Sequence, residues 1–323
     1  MVSTGSSDGV PPLLPVDTMR RLLEGLHERL DLSELNEWTV EVNPATADAA
    51  FLATLRSHGV DRISLGAQSF IPSELATLER HHDPDDVERS IAMARDAGFE
   101  RLNIDLIYAI PGQTLDTWQR SLDRAAALKI EHYACYNLTY EPNTPMAVKQ
   151  RLGRLEVIEE SIELQMLQRA RAFMAGIGRR PYEVSNYGTP CRHNLNYWTG
   201  GDYLGIGPSA ASHVRGTRFK NRPHLGEWER AINECTLPAI DVEYLSQDDR
   251  EGEAMMLGLR LAEGVEWGAF VQRFGRSIDE RFPETLAQMS RVGLVEATPT
   301  HVRLTPAGLP IADAIAAEFL AGR

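Results

Sequence analysis

A chain of 323 residues, 43% hydrophobic and 24% charged, is too long for one small module and suits a large α/β domain with a smaller companion. Its 33 basic and 46 acidic residues give a formal charge of −13, which argues against non-specific binding to nucleic acid or to an anionic membrane surface. The opening residues MVSTGSSDGVPP carry neither half of a secretory leader, and no apolar run reaches the ~20 residues of a membrane helix; three scattered cysteines (Cys135, Cys191, Cys235) suit a reducing cytoplasm better than a disulfide framework.

In chain order, residues 15–30 form an amphipathic helix with Met19, Leu22, Leu23, Leu26 and Leu30 on one side. A strand is expected at 38–42, then a helix over 47–57 that stops at His58-Gly59. The next strand is 62–67, followed by helices at 73–79 and 84–97, the second closed by Gly98. Strand 102–108, a Pro111-Gly112 turn, helix 115–128, strand 133–138 and a long helix over 155–175 complete the series. Four consecutive β–α units mean parallel strands with right-handed crossovers, in a partial barrel or an open doubly wound sheet. Such a series should have a strand before its first helix, but the polar segment STGSSDG (3–9) stands there, so the first β–α unit is expected to be missing.

Residues 176–225 are rich in Gly, Asn, Tyr and Pro and are expected to be a long irregular, function-bearing segment. From about 241 the pattern turns helical, at 248–262, 267–274 and 277–290. Two short strands around Pro299-Thr300 and a last helix follow, which together suggest a winged-helix-like module. Eight arginines against fourteen acids over 241–323 give it the wrong sign for DNA. The expected organisation is a truncated β/α barrel over 1–175, a connecting region over 176–240 and a C-terminal domain over 241–323.

Parallel β/α folds carry function at the C-terminal ends of their strands. Those ends supply Glu41, Gln68, Asp105 and Thr139-Tyr140-Glu141, groups able to hold the ammonium, hydroxyls or amide edges of a small polar ligand. Any one of them serves equally well as a loop cap; their recurrence favours a site. His193, near Tyr197 and Trp198, has the chemistry to ligate a metal or a porphyrin iron, with Cys191 as a soft neighbour. A lone histidine is more often structural. His81-His82-Asp83 reads better as a helix start than as a metal cluster, and no P-loop, H-E-x-x-H, G-x-S-x-G or paired C-x-x-C occurs.

The segments EVNP (41–44), GVDRISLGAQSF (59–70), NIDLIYAIPGQT (103–114) and CYNLTYEPNTPM (135–146) resemble the oxygen-independent coproporphyrinogen-oxidase-like branch of the radical S-adenosylmethionine (SAM) superfamily. YEVSNYG (182–188) and CRHNLNYWTGGDYLGIGPSAASHV (191–214) resemble its HemW-like haem chaperones more than the true oxidase. The resemblance implies an α/β fold, a partial (β/α)6 barrel without its first unit, and a small C-terminal helical domain. It implies SAM contacts at Glu41 and Gln68 for the methionyl and ribose parts, Arg80 for the carboxylate and Asp105 for a ribose hydroxyl. It also implies a haem-type site at His193, Asn194, Tyr197 and Trp198, with His193 as the iron ligand, and transfer of haem to an acceptor protein, membrane-associated acceptors included. Family members bind a [4Fe-4S] cluster through an early C-x3-C-x2-C, whereas the first cysteine here is Cys135. The expectation is a chain without radical activity of its own, whether through a late start or through true loss of the cluster. The alternative is an oxidase of porphyrin biosynthesis, if an upstream segment supplies those cysteines.

Overall fold

The structure, a computed structural model, describes residues 14–142 and 144–321, so the 3–9 segment expected in place of a first strand lies outside the described residues. The chain divides into two units, residues 1–192 and 193–323.

In the first unit, α1 (Val16–Arg29) precedes β1 (Thr39–Val42), α2 (Ala49–Ser57), β2 (Arg62–Gln68), α3 (Pro72–Thr77), α4 (Pro84–Asp96), β3 (Arg101–Tyr108), α5 (Leu115–Ala127), β4 (His132–Asn137), α6 (Pro145–Arg151), α7 (Glu160–Gly176) and β5 (Asn186–Gly188). The five strands lie side by side in chain order, the first four parallel and β5 antiparallel to β4. This is the expected α/β class, with a sheet that does not close into a barrel among the described residues. Local chemistry sets the helix starts. The Asp48 carboxylate accepts the Phe51 amide to begin α2, Asp83 and Asp86 form a capping box ahead of Pro84 in α4, and Thr114 with Thr117 does the same for α5. The long helix begins at Glu160 rather than 155, because Gly153 (φ +64°) ends a short α6 that the sequence pattern does not announce.

Strict alternation along the strands separates the sheet's two faces. Val40, Ile63 and Leu102 lie in one row and Val42, Leu65, Ile104 and Tyr133 in the next; both rows belong to a core shared with Phe51, Leu55, Ile91, Trp118 and Leu122 of the helices. Trp118 is fully buried and its indole N–H donates to the Met166 carbonyl of α7, so the helical layer is tied as well as packed. The opposite face is polar. That departs from the usual parallel sheet, which is apolar on both sides.

Helix α8 (Arg192–Trp198) spans the boundary in sequence. The rest of the second unit comprises β6 (Ala211–Val214), β7 (Thr217–Asn221), α9 (Leu225–Asn233), β8 (Ala239–Tyr244), α10 (Gln247–Gly258), β9 (Val265–Glu266), α11 (Trp267–Phe274), α12 (Ile278–Arg281), α13 (Pro283–Arg291), β10 (Val295–Ala297), β11 (His301–Leu304), a 3-10 turn (Leu309–Ile311) and α14 (Ala312–Ala321). The segment expected to be irregular therefore holds a helix and most of an antiparallel β6-β7-β8 sheet. Its hairpin turns on Arg215 (φ +50°) and Gly216 (φ +81°), a two-residue loop held by Asp202 accepting the Arg215 amide at 2.8 Å. The single helix expected over 277–290 is two, because Pro283 cannot continue α12 and instead opens α13. Met255, Phe270, Ile278, Phe282, Val302 and Phe319 centre this unit's own core. No helix among the described residues is long and apolar enough to cross a membrane.

Candidate functional site

On the polar face of the first sheet, Glu41, Ser64, Asn103 and His132 stand side by side on β1, β2, β3 and β4. Asn103 donates one amide hydrogen to Ser64 Oγ (2.7 Å) and the other to Asp105 Oδ1 (2.9 Å). Its oxygen is thus the acceptor, and His132 Nδ1–H must donate to it. His132 Nε2 then accepts from the Tyr182 hydroxyl at 3.0 Å. The ring is therefore the neutral Nδ1–H tautomer, in agreement with burial and the nearby Arg62 guanidinium, which push its pKa down to about 3. Arg62 is itself buried and donates to Thr39 Oγ1 at 3.4 Å. Burial raises the carboxyls of both Glu41 and Asp105 above the ordinary range. Asp105 adds to the rise of Glu41, while Asn103, Arg62 and Ser64 oppose that of Asp105. Glu41 is itself exposed on β1.

The other strand-end residues follow from a distortion in β2. The register slips between Leu65 and Gln68, and Gln68 takes φ +60° while pairing with Leu106, next to Asp105. Gly66 makes this feasible, since a Cβ there would lie 2.7 Å from Gln68 Nε2. Just beyond α3, half-buried Arg80 has its Nε buried without a hydrogen-bond partner, and burial lowers its pKa. Burial lowers the pKa of His82, with Arg80 adding to the fall against the bond between its Nε2 and the Ala67 carbonyl at 3.1 Å. Asp105 sits in mid-strand rather than at the strand end. Thr139 and Glu141 are exposed beyond β4, and the buried Tyr140 hydroxyl has no partner.

The polar row of Ser64, Asn103 and His132, with Arg62 and Tyr182, is absent from the strand-end reading. Its signal is the period-two alternation in RISLG and RLNID, with polar residues at every second position where a buried parallel strand would be apolar throughout.

All three cysteines are described, and they do not converge. Cys135 is buried on β4, its thiol pushed up by burial. The Cys191 thiol donates to Glu37 at 3.1 Å, at the N-terminal end of the strands, where Glu37 and Asp61 bind Arg101. Cys191 is thus a structural donor rather than a soft metal ligand. Cys235 is exposed in the second unit. Among the described residues no group of three or more His, Cys, Asp or Glu could hold a metal ion, so these residues do not fit a [4Fe-4S] cluster.

HNLNYW forms α8, which puts His193 and Tyr197 one turn apart on the same side. Their rings meet edge to face at 4.8 Å; Tyr197 contacts Tyr203 at 4.6 Å, and Tyr203 contacts His213 at 6.0 Å. Trp198 lies under the Arg260 guanidinium, 4.8 Å from its ring centre. His193, Asn194, Tyr197 and Trp198 are all half-buried. Gly201 is required beside the helix, because a Cβ there would overlap Asn196 Oδ1 at 2.2 Å.

A parallel β/α sheet with one polar face, followed by a helical unit with two small antiparallel sheets, β6-β7-β8 and β10-β11-β9, has clear relatives. Residues 5–125 match the model of the Radical SAM superfamily and residues 245–311 that of the HemN C-terminal domain. The fold is that of coproporphyrinogen III oxidase HemN from Escherichia coli, a radical SAM enzyme, with a TM-score of 0.81 over 96% of this chain and 76% of that one at 23% identity. The fold and the matched regions thus define a radical SAM superfamily architecture. The chain is 33% identical to the haem chaperone HemW of Bacillus subtilis over 97% of its own length and 83% of that protein's. It is also 33% identical to HemW of Lactococcus lactis over the same shares. The chain belongs to the HemW family.

Proposed function

We propose that this protein binds haem through α8, with His193 as the iron ligand and Tyr197 and Trp198 as flanking rings, and passes the haem to an acceptor protein. The observation that carries this reading is the edge-to-face pairing of His193 and Tyr197 on α8, in a chain related along nearly its whole length to haem chaperones. Imidazole supplies a ligand for iron, and the tyrosine ring fixes the imidazole's orientation. Titration of the protein with hemin should give a shifted Soret band that His193→Ala abolishes or moves. No shift, or one unchanged in the variant, overturns the assignment.

The polar sheet face is proposed as a SAM-type site. The unpartnered Arg80 Nε suits a carboxylate, and Glu41, Gln68 and Asp105 suit an ammonium, an amide-like edge and ribose hydroxyls, the groups that SAM carries. When bound in such a site, SAM supplies a sulfonium that can be cleaved after one-electron reduction. The residues of this chain bind and orient it, with Arg80 neutralising the carboxylate and Asp105 fixing the sugar. The described residues do not fit the [4Fe-4S] cluster that would donate the electron for a radical step. Haem handling needs no such step, and a cytoplasmic location with membrane-associated proteins among the acceptors is part of this reading.

A further inference from the structure

Arginines with no acid to pair with stand out in a chain that carries 46 acidic residues. In the second unit a cavity of about 130 Å³ is lined by Tyr197, Tyr203, His213, Arg218, Arg250 and Arg273, with Glu253 as its carboxylate. Arg218 neutralises Glu253 at 2.7 Å. Among the described residues Arg250 and Arg273 form no ion pair. Arg250 Nε is buried without a partner, and Arg273 donates only to the Thr199 and Gly200 carbonyls, at 2.9 and 2.8 Å. His213 adds a buried Nε2 without a partner, its Nδ1 facing the Gly201 carbonyl at 3.5 Å.

The backbone makes room for this arrangement. A Cβ on Gly200 would lie 2.9 Å from Arg273 Nη1, and one on Gly216 would lie 3.1 Å from Arg250 Cδ. Both glycines have positive φ, +65° and +81°, so each guanidinium rests where only glycine fits comfortably. The two cations also repel each other. Burial and the charge of Arg250 both depress Arg273, against the weaker pull of Asp202. Arg273 is exposed at the rim and Arg250 is half-buried, so two guanidinium groups with no acid between them offer an anion a charge-assisted contact from each side.

We infer that this cavity receives the carboxylate arm of the tetrapyrrole: a propionate enters between Arg250 and Arg273 while the macrocycle rests against the His193–Tyr197 face of α8. The inference rests on the haem reading above. Size selects the arm rather than the ring, because about 130 Å³ falls below the ~300 Å³ at which pockets begin to enclose a whole drug-sized molecule. Tyr197 belongs to both sites, lining the cavity and touching His193, so one ligand can reach the two together.

Two experiments separate this proposal from the haem reading. In the first, hemin and its dimethyl ester, which keeps iron and ring but lacks the carboxylates, are titrated in one detergent buffer. The wild type should bind hemin about 10- to 100-fold more tightly than the ester, Arg250→Gln should remove the difference, and His193→Ala should weaken both ligands alike. Equal affinities in the wild type overturn the propionate assignment and leave the haem reading standing. In the second, sodium propionate is compared with sodium chloride at equal ionic strength. Propionate should raise the Tm of the wild type and not that of Arg250→Gln, whose own Tm without ligand should match or exceed the wild type's because a like-charge contact is gone. No rise in the wild type overturns the cavity as an anion site. Failure to bind either porphyrin overturns the haem reading and the propionate assignment together, and the second experiment still decides the cavity.

Discussion

The polar face of the first sheet and the arginine cavity of the second unit are both polar interiors, but they differ in how completely they are satisfied. Around Asn103 every hydrogen has an acceptor: two go to Ser64 and Asp105, one arrives from His132, and Tyr182 completes the imidazole. Around Arg250 and His213 buried nitrogens face space. A closed network holds a sheet in register and leaves a ligand only spare lone pairs such as those of Asp105, whereas an open one has buried donors still without a partner. Arg80 and His82, at the rim of the closed network, belong to the open kind, since Arg80 Nε and His82 Nδ1 are buried without partners. Satisfaction therefore separates scaffold from binding groups even within one face.

The largest effect should come from breaking the closed network. Asn103→Leu strands the His132 N–H and removes the donors to Ser64 and Asp105, for a loss of about 2–4 kcal/mol in urea unfolding of the sheet unit. A loss below about 1 kcal/mol would mean that the network is not the scaffold.

The second effect is a dependence on pH. His132 has a folded pKa of about 3 against 6.5 unfolded, so below pH 6.5 the unfolded chain takes up a proton that the native state refuses. Stability is full above pH 6.5 and falls by roughly 1.4 kcal/mol per unit as the pH drops towards 4. Glu41 and Asp105, raised by burial, act with the opposite sign in the carboxylate range, favouring the folded state as they protonate. Comparison with His132→Gln isolates the imidazole; if the two unfolding profiles run parallel from pH 7 to 4.5, His132 is not buried neutral.

How much of this was legible in the sequence follows from the same contrast. The β–α series, its helix stops at Gly59 and Gly98 and the apolar core rows depend on local periodicity and positive φ, and the structure places them close to where the pattern does. Glu41, Gln68 and Asp105 were readable as polar groups at successive strand ends, although Asp105 falls in mid-strand. His132 was not, because its role comes from register: it pairs with Asn103, 29 positions earlier, and no local window contains both. The β6–β7 hairpin was missed because Arg215-Gly216 lacks the usual Asn-Gly or Asp-Gly, and Asp202, well upstream, holds the turn. The cavity's two arginines without an acid, Arg250 and Arg273, come from α10 and α11 and meet glycines distant in sequence, an arrangement that only the folded chain assembles.

Arg80→Gln probes the open rim. Because the Arg80 Nε has no partner, its removal should change unfolding free energy by less than about 0.5 kcal/mol. SAM affinity by equilibrium dialysis should fall at least tenfold with the lost carboxylate contact. A variant that unfolds easily while binding SAM normally would make Arg80 a structural residue and return the rim to the closed class.

The smallest effect sharpens the contrast within the second unit. Arg260, on the loop after α10, has two partners of different kinds, the Trp198 ring beneath it and the Asp313 carboxylate, which is 87% exposed. An exposed ion pair contributes about 0–1 kcal/mol, and a cation over a half-buried indole about 0.5–2 kcal/mol. Replacing Trp198 by Leu removes the ring and forfeits no hydrogen bond, since its buried indole nitrogen has no partner. Double-mutant cycles of Arg260→Gln with Trp198→Leu and with Asp313→Asn should therefore give the larger coupling to the ring, and high salt should shrink only the Asp313 coupling. The reverse order would make Arg260 a surface ion-pair partner and leave Trp198 held by packing alone, so that the tryptophan and its covering arginine would no longer form one unit.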